Sequence, residues 1–349
     1  MNPTCRDAKG TKTKCVVWDL DNTLWNGVLL EGPVTLNQDV IHMIRILDQR
    51  GILNSIASKN DFDHAVHQLK EFGIEPFFLY PQIHWGPKSS SLKKIAEQIN
   101  IGLDTLAFID DQPFELDEVE SVHPQVLTIP ISQKNRLLDM PEMNPEFITA
   151  DSKSRRLMYL HDMERKKAEE CFDGPAESFL ASLKMKFTIS KADKEDLKRA
   201  EELTVRTNQL NTTGYTYSYD ELEYYRTSED HILLIAGLED KYGTYGKIGL
   251  VLIECKPDAW LIKLLLMSCR VLSRGVGNIL IAHIRNEAKK NKAALRAEMI
   301  STDRNRMMYM TYKFNGFSEI RTDGAFTLFE NDLNQIPAYP AYVDIRVEL

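Results

Sequence analysis

Two aspartates one residue apart, Asp19 and Asp21, follow the apolar run Cys15-Val16-Val17-Trp18. Such a run suits a short strand covered on both faces. The turn after it can aim both carboxylates into the crevice at the carboxyl edge of a sheet, where open α/β folds bind ligands. Carboxylates this close repel each other unless a cation sits between them, so a hard ion such as Mg²⁺ is the natural third party. One carboxylate could then attack phosphorus while the other handles protons. Taken alone, Asp19-Leu-Asp-Asn-Thr23 is more often a solvated turn with an Asp/Asn cap; the rest of the chain shifts that balance.

The same pattern recurs downstream. Gln38 to Arg50 has the periodicity of a helix, with Gly51 just past its end. A second strand, Ile52 to Ala57, ends in Ser58-Lys59-Asn60-Asp61, where Asp61 can cap a helix over about 62–72. A third short strand is expected over Phe77 to Tyr80. Pro87-Lys88-Ser89 then opens a helix running to about Ile99. A fourth strand, Leu103 to Ile109, delivers Asp110-Asp111-Gln112-Pro113, and a fifth is expected over Val126 to Ile129. This βα alternation implies a doubly wound parallel sheet. Asp19/Asp21, Ser58, Lys88 and Asp110/Asp111 therefore fall on one edge. Singly they read as a helix cap, a solvated lysine or a turn; their recurrence at successive strand ends weighs against chance.

At 349 residues the chain exceeds one ordinary core, and two domains are expected. Residues 1–145 form the first, 146–183 a helical linker and 184–349 the second. A net charge of −8 disfavours nucleic acid, and an acidic carrier protein would need a local basic patch. The five scattered cysteines contain no Cys-x-x-Cys pair, which argues against a disulfide framework or zinc site. The N-terminus lacks the apolar stretch of a signal peptide, and no run is long enough for a membrane span. A cytoplasmic location is expected.

Asp151 to Cys171 has the pattern of a polar connecting helix with a packing stripe of Leu157, Leu160, Met163 and Ala168. In the second domain, strands are expected over 185–189, 232–236, 248–255, 260–268, 295–299 and 324–329. Helices are expected over 194–207, up to about 291, and over 304–313. Arg206-Thr-Asn-Gln-Leu-Asn211 is a loop rich in amides; Asn208 and Gln209 either orient substrate hydroxyls or satisfy a buried loop. The strand Trp260–Ser268 leads into Cys269-Arg270-Val-Leu-Ser-Arg274-Gly275-Val-Gly277. Glycines ahead of a helix N-terminus can cradle a phosphate. A cysteine at a strand end is usually a small buried hydrophobe. Here the adjacent Arg270 and Arg274 and the coming helix start favour a thiolate.

The first-half motifs resemble the haloacid-dehalogenase-like superfamily. That resemblance implies Asp19 as nucleophile, Asp21 as acid/base, Thr23, Ser58 and Lys88 as phosphoryl ligands, and a Mg²⁺ site built from Asp19, Asp21, Asp110 and Asp111. The short spacings leave no room for a large cap. The second half resembles the GNAT acyltransferase fold. Together the motifs, including Phe108-Ile-Asp-Asp-Gln-Pro113 and Ser268-Cys-Arg-Val-Leu-Ser-Arg-Gly-Val276, are similar to the FkbH-like glyceryl transferase/phosphatases, with departures at Asn26, Leu116 and Gly277. This resemblance implies 1,3-bisphosphoglycerate as substrate and Cys269 as acyl carrier. It further implies phosphate or substrate contacts from Arg270, Arg274 and Gly275, and the phosphopantetheine of an acyl carrier protein in polyketide biosynthesis as acceptor. Three other readings compete: a Mg²⁺-dependent phosphatase with a non-catalytic recognition domain, an acetyl-CoA-dependent N-acyltransferase with a degenerate first half, and a non-catalytic scaffold.

Overall fold

A computed structural model describes residues 12–348 of the chain. Cys5 and the N-terminal stretch read for a leader lie outside the described residues. Two compact units emerge, Met1–Leu160 and His161–Leu349.

The first unit contains β1 (Cys15–Trp18), β2 (Trp25–Asn26), β3 (Thr35–Leu36), α1 (Gln38–Gln49), β4 (Leu53–Ser58) and α2 (Phe62–Glu71). These are followed by β5 (Gln82–Ile83), α3 (Lys88–Ile99), β6 (Leu106–Asp110), α4 (Pro113–Val122), β7 (Leu127–Pro130), α5 (Ala150–Lys153) and the start of α6 (Arg155–Glu170). Five strands form a sheet ordered β5-β4-β1-β6-β7, every pair parallel. The strand order reverses beside β1, so the crevice between the ends of β1 and β6 is the switch point. All four residues of β1 are fully buried, as its unbroken apolar pattern requires. This is the doubly wound α/β architecture expected, without a large cap: between β1 and α1 the chain makes only the small β2–β3 hairpin.

The third strand differs from expectation. Glu75–Phe77 is a 3-10 turn with Pro76 inside it, and Tyr80 has a positive φ of 50°. Proline removes a ladder donor and the left-handed residue breaks extension, so the strand forms later, over Gln82–Ile83. The connecting helix is broken at Ser154, and the unit boundary falls within α6. Its stripe also differs, for Leu157 is exposed while Met158 and Arg165 are buried. Arg165 can be buried because Asp240 takes its guanidinium at 2.7 and 2.9 Å and the ring of Tyr245 lies 3.8 Å below it.

The second unit continues with α7 (Ala176–Ser182), β8 (Met185–Lys191), α8 (Leu197–Arg206), α9 (Tyr219–Thr227), β9 (His231–Asp240), β10 (Gly243–Cys255) and β11 (Ala259–Met267). Then come α10 (Val276–Lys290), β12 (Ala294–Ile300), α11 (Arg306–Phe314), β13 (Phe317–Asp323), β14 (Phe326–Asn331) and β15 (Val343–Glu348). The sheet order is β13-β14-β12-β11-β10-β9-β8-β15. It is antiparallel except for β11–β12 and β8–β15. The single closing strand expected over 324–329 is one arm of the β13–β14 hairpin, turning at Gly324, whose φ is +59°. Strand β11 pairs β12 only over Ala259–Ile262. Beyond that point, Leu210–Thr212 stands between the two strands.

Candidate active site

Three elements bring the first cluster together. Strand β1 delivers Asp19 and β6 delivers Asp110 to the switch-point crevice, and α3 begins with Lys88 immediately after Gly86-Pro87. A lysine in the first turn opposes the helix dipole; two carboxylates hold it there. Lys88 Nζ donates to Asp19 at 2.7 Å and to Asp110 at 2.5 Å. Asp19 is 4% exposed, Lys88 3% and Asp110 0%. Burial pushes the Asp19 carboxyl up to about 7, with Lys88 pulling it back and Asp110 adding to the rise. Burial raises Asp110 as well, again opposed by Lys88. Burial works against the Lys88 ammonium, but Asp19 and Asp110 outweigh it and hold its pKa above the usual range.

Asp111 joins this pair. Oxygens of Asp19, Asp110 and Asp111 lie within 4.8 Å of one another, and Asp111 Oδ1 is buried without a hydrogen-bond partner. An orphaned carboxylate oxygen beside two buried carboxylates is a donor set for a hard cation, so these residues fit Mg²⁺. Asp21 does not join them, which corrects the four-carboxylate set. Its Oδ1 accepts from the Trp25 indole at 2.7 Å and the Leu29 amide at 3.1 Å, and its Oδ2 accepts from Asn60 at 3.1 Å. The β2 hairpin supplies the first two donors and so turns the carboxylate away.

The last residue of β4, Ser58, and the two that follow it, Lys59 and Asn60, are three successive side chains at this edge. Ser58 favours the ionised form of Asp19, Lys59 pairs with Glu115 at 2.5 Å, and Asn60 donates to Asp21 at 3.1 Å. Sheet order makes the Lys59–Glu115 pair possible, because β4, which precedes Lys59, and β6, which precedes the helix carrying Glu115, both flank β1. Sequence reasoning gave roles to Ser58 and Asp110 but none to Lys59, Asn60 or Glu115. Their adjacency to Ser58 and to Asp110-Asp111 was the available signal. Thr23 is fully buried with its hydroxyl unpartnered.

The second group centres on Cys269. Among the described cysteines, Cys15 is buried, Cys255 half-buried, and Cys171 and Cys269 exposed. Burial raises the Cys15 thiol far above its ordinary range, and Cys255 is pushed to about 11. Cys269 heads a 3-10 segment, Cys269–Arg274, rather than directly preceding an α-helix. With three residues per turn, Leu272 eclipses it, so neighbouring position alone does not set Arg270 or Arg274 over the sulfur. Arg270 donates to the Tyr245 carbonyl at 3.1 Å. Arg274 turns to Glu169 at 3.4 Å and lies over Phe179.

Gly275 caps α10 at φ +73°, and a Cβ there would stand 2.7 Å from the Tyr342 hydroxyl. The glycine is required, and a strap from the C-terminal segment faces the helix start. A cleft of about 280 Å³ lies between them, lined by Gly275, Asn278, Phe314, Tyr339 and Tyr342. A smaller, mainly apolar one of about 100 Å³ shares Gly275 and Asn278 with it and is lined also by Leu210, Leu265, Met267, Val271 and Met308. Asn208 and Gln209 are exposed in the turn before Leu210. Among the described residues, no helix is long and apolar enough to cross a membrane.

No family model matches the sequence, and no curated protein matches it. Solved structures do. The N-terminal part of BF1531 from Bacteroides fragilis, containing a phosphatase domain and complexed with Mg, is 26% identical over 44% of this chain and 40% of that one, with a TM-score of 0.29. The ribosomal-protein-S18-alanine N-acetyltransferase from Escherichia coli is 18% identical over 41% of this chain and 90% of its own, with a TM-score of 0.33. The putative acetyltransferase yncA from Salmonella typhimurium, solved with acetyl-CoA, is 16% identical over 44% and 97%, with a TM-score of 0.32. At these TM-scores the fold assignment stands on the strand order and register of the chain itself: a doubly wound parallel α/β unit followed by a mixed-sheet α/β unit.

Proposed function

We propose that the chain is a two-site enzyme, a phosphomonoesterase in the first unit and an acyltransferase working through Cys269 in the second. Its substrate would be 1,3-bisphosphoglycerate and its acyl acceptor the phosphopantetheine thiol of an acyl carrier protein. The convergence of Asp19, Lys88 and Asp110 at the switch point carries this reading. A buried cation between two buried carboxylates costs desolvation on all three groups, and such arrangements cluster at reactive sites.

In the first unit, Asp19 attacks phosphorus of the 3-phosphate, the ester P–O bond breaks, and the alcohol leaves with a proton. Water then cleaves the aspartyl phosphate, returning Asp19 and releasing inorganic phosphate. Lys88, together with Ser58 and Thr23, binds the phosphoryl oxygens. Mg²⁺ held by Asp19, Asp110 and Asp111 would screen the phosphate charge from the attacking carboxylate. Asp21 can serve as the acid/base once its carboxyl leaves the three donors that hold it.

In the second unit, the Cys269 thiolate attacks the acyl phosphate carbon, the C–O bond breaks and phosphate leaves. The carrier thiol then attacks the resulting thioester, giving up its proton, and Cys269 departs as the thiolate. Exchange between thiols is close to isoenergetic, which suits a relay. Exposure of Cys269 supports this role. Incubation with 1,3-bisphosphoglycerate and a holo carrier protein, read by intact mass, tests it. A glyceryl adduct on Cys269 that passes to the carrier is expected. A loaded carrier with Cys269 unmodified throughout would end the relay, and phosphate release unchanged in Asp19→Asn would remove that residue from the nucleophile role.

A further inference from the structure

The parallel strands β11 and β12 stop pairing after Ile262 and Ala297. Strands that part in this way leave backbone groups facing an open slot, and an extended amide chain can add itself there as a strand. A pantetheine arm, with its two amides, has that chemistry. In this chain the slot is filled from within. Met267 N–H donates to the Leu210 carbonyl at 2.9 Å, and Thr212 N–H donates to the Leu265 carbonyl at 3.1 Å. Leu265 N–H donates to the Thr212 hydroxyl at 3.0 Å. On the other side, Ile300 N–H donates to the Thr212 carbonyl at 2.9 Å. The three residues thus bond both strands at once.

The insertion is also latched. Asn305 is 1% exposed, and its amide donates to the Asn211 carbonyl at 3.0 Å and the Ile300 carbonyl at 2.8 Å. Asn211 turns its own side-chain oxygen to the amides of Thr213 and Gly214, at 3.0 and 2.9 Å. Asn211 and Thr212 are fully buried, and the Asn211 side-chain nitrogen has no partner. A buried orphan donor is costly, and the backbone bonds around it outweigh that cost.

We propose that Leu210–Thr212, latched by Asn305, closes the β11–β12 slot to extended thioester arms and is a specificity element of the second unit. Resting on the acyl-transfer reading above, this means that an acceptor arm meets the exposed Cys269 without threading between the strands. Recognition then falls to the body of a carrier protein, and free coenzyme A, which has the arm without the body, is not bound in the slot.

Hydrogen exchange of the full chain, with and without millimolar coenzyme A, tests this, with calorimetric titration of coenzyme A alongside. The amides of Thr212, Leu265, Met267 and Ile300 are expected to exchange slowly and to be indifferent to coenzyme A. Asn305→Ala is expected to speed Thr212 and Ile300 by at least about tenfold, the scale of one lost hydrogen bond. Calorimetry showing no saturation, or binding that leaves those four amides unaffected, supports the proposal. Fast exchange at these amides in the wild type, or coenzyme A altering their exchange, overturns it. Neither result bears on whether Cys269 is acylated by the phosphorylated substrate, so failure here is separable from failure of the proposed function.

Discussion

Lys88→Met isolates the electrostatics of the notch. Methionine keeps the length and the apolar stem beside Phe108, whose ring centre lies 5.6 Å from Nζ, and removes the charge. Asp19 and Asp110 are then buried carboxylates without their counter-ion. Removing one partner of a buried pair costs about 3–5 kcal/mol. In a unit of this size 1 kcal/mol moves the melting midpoint by about 2–4 °C, so a loss of about 6–20 °C is expected with metal chelated. The deficit depends on pH. Asp19 sits at about 7 in the folded chain against 3.8 for the free group. Between those values the folded state binds more protons than the unfolded one, and this group's contribution to stability rises as pH falls. Without Lys88 the folded carboxyls titrate higher still. The deficit is therefore largest near about pH 8 and shrinks toward about pH 5.5. Urea unfolding in chelator, followed by tryptophan emission, reads the relevant unit, because Trp18, Trp25 and Trp85 lie in it and Trp260 does not. A variant within about 0.5 kcal/mol of wild type near neutral pH, or one whose deficit grows in acid, would refute the reasoning.

Three further outcomes are expected. Mg²⁺ raises the unfolding midpoint of the first unit, and Asp111→Asn weakens the apparent Mg²⁺ affinity by at least about tenfold in a calorimetric titration; an unchanged affinity would exclude Asp111 as a ligand. Cys269→Ser abolishes the acyl adduct and carrier loading, and loading at the wild-type rate would leave the sulfur without a role. Arg165→Met strands Asp240 and destabilises the second unit by about 3–5 kcal/mol, measured by urea unfolding followed by Trp260 emission in a chain with the other tryptophans replaced by phenylalanine; a change under about 0.5 kcal/mol would show that the pair contributes little.

The sequence determined which polar residues fall at strand ends. Apolar runs such as Cys15–Trp18 and Leu106–Ile109 are local signals, and a doubly wound order puts the residues after each run on one edge. Asp19, Ser58, Lys88 and Asp110 were legible for that reason, as was the cysteine ahead of a glycine-capped helix. Only the tertiary structure decided which side chains meet. The four carboxylates near the notch look alike in sequence, yet the β2 hairpin supplies the donors that draw Asp21 away. Lys59 finds Glu115 only because β4 and β6 flank β1. Arg270 and Arg274 stand close to Cys269 along the chain, but a 3-10 turn sends them to Tyr245 and Glu169. Strand β15 pairs with β8 across most of the second unit's sequence, and Leu210–Thr212 enters a gap made by strands far downstream. Strand and helix tendencies reside in neighbouring residues, whereas the partner of a hydrogen bond or charge is chosen by whatever the fold brings within about 3 Å.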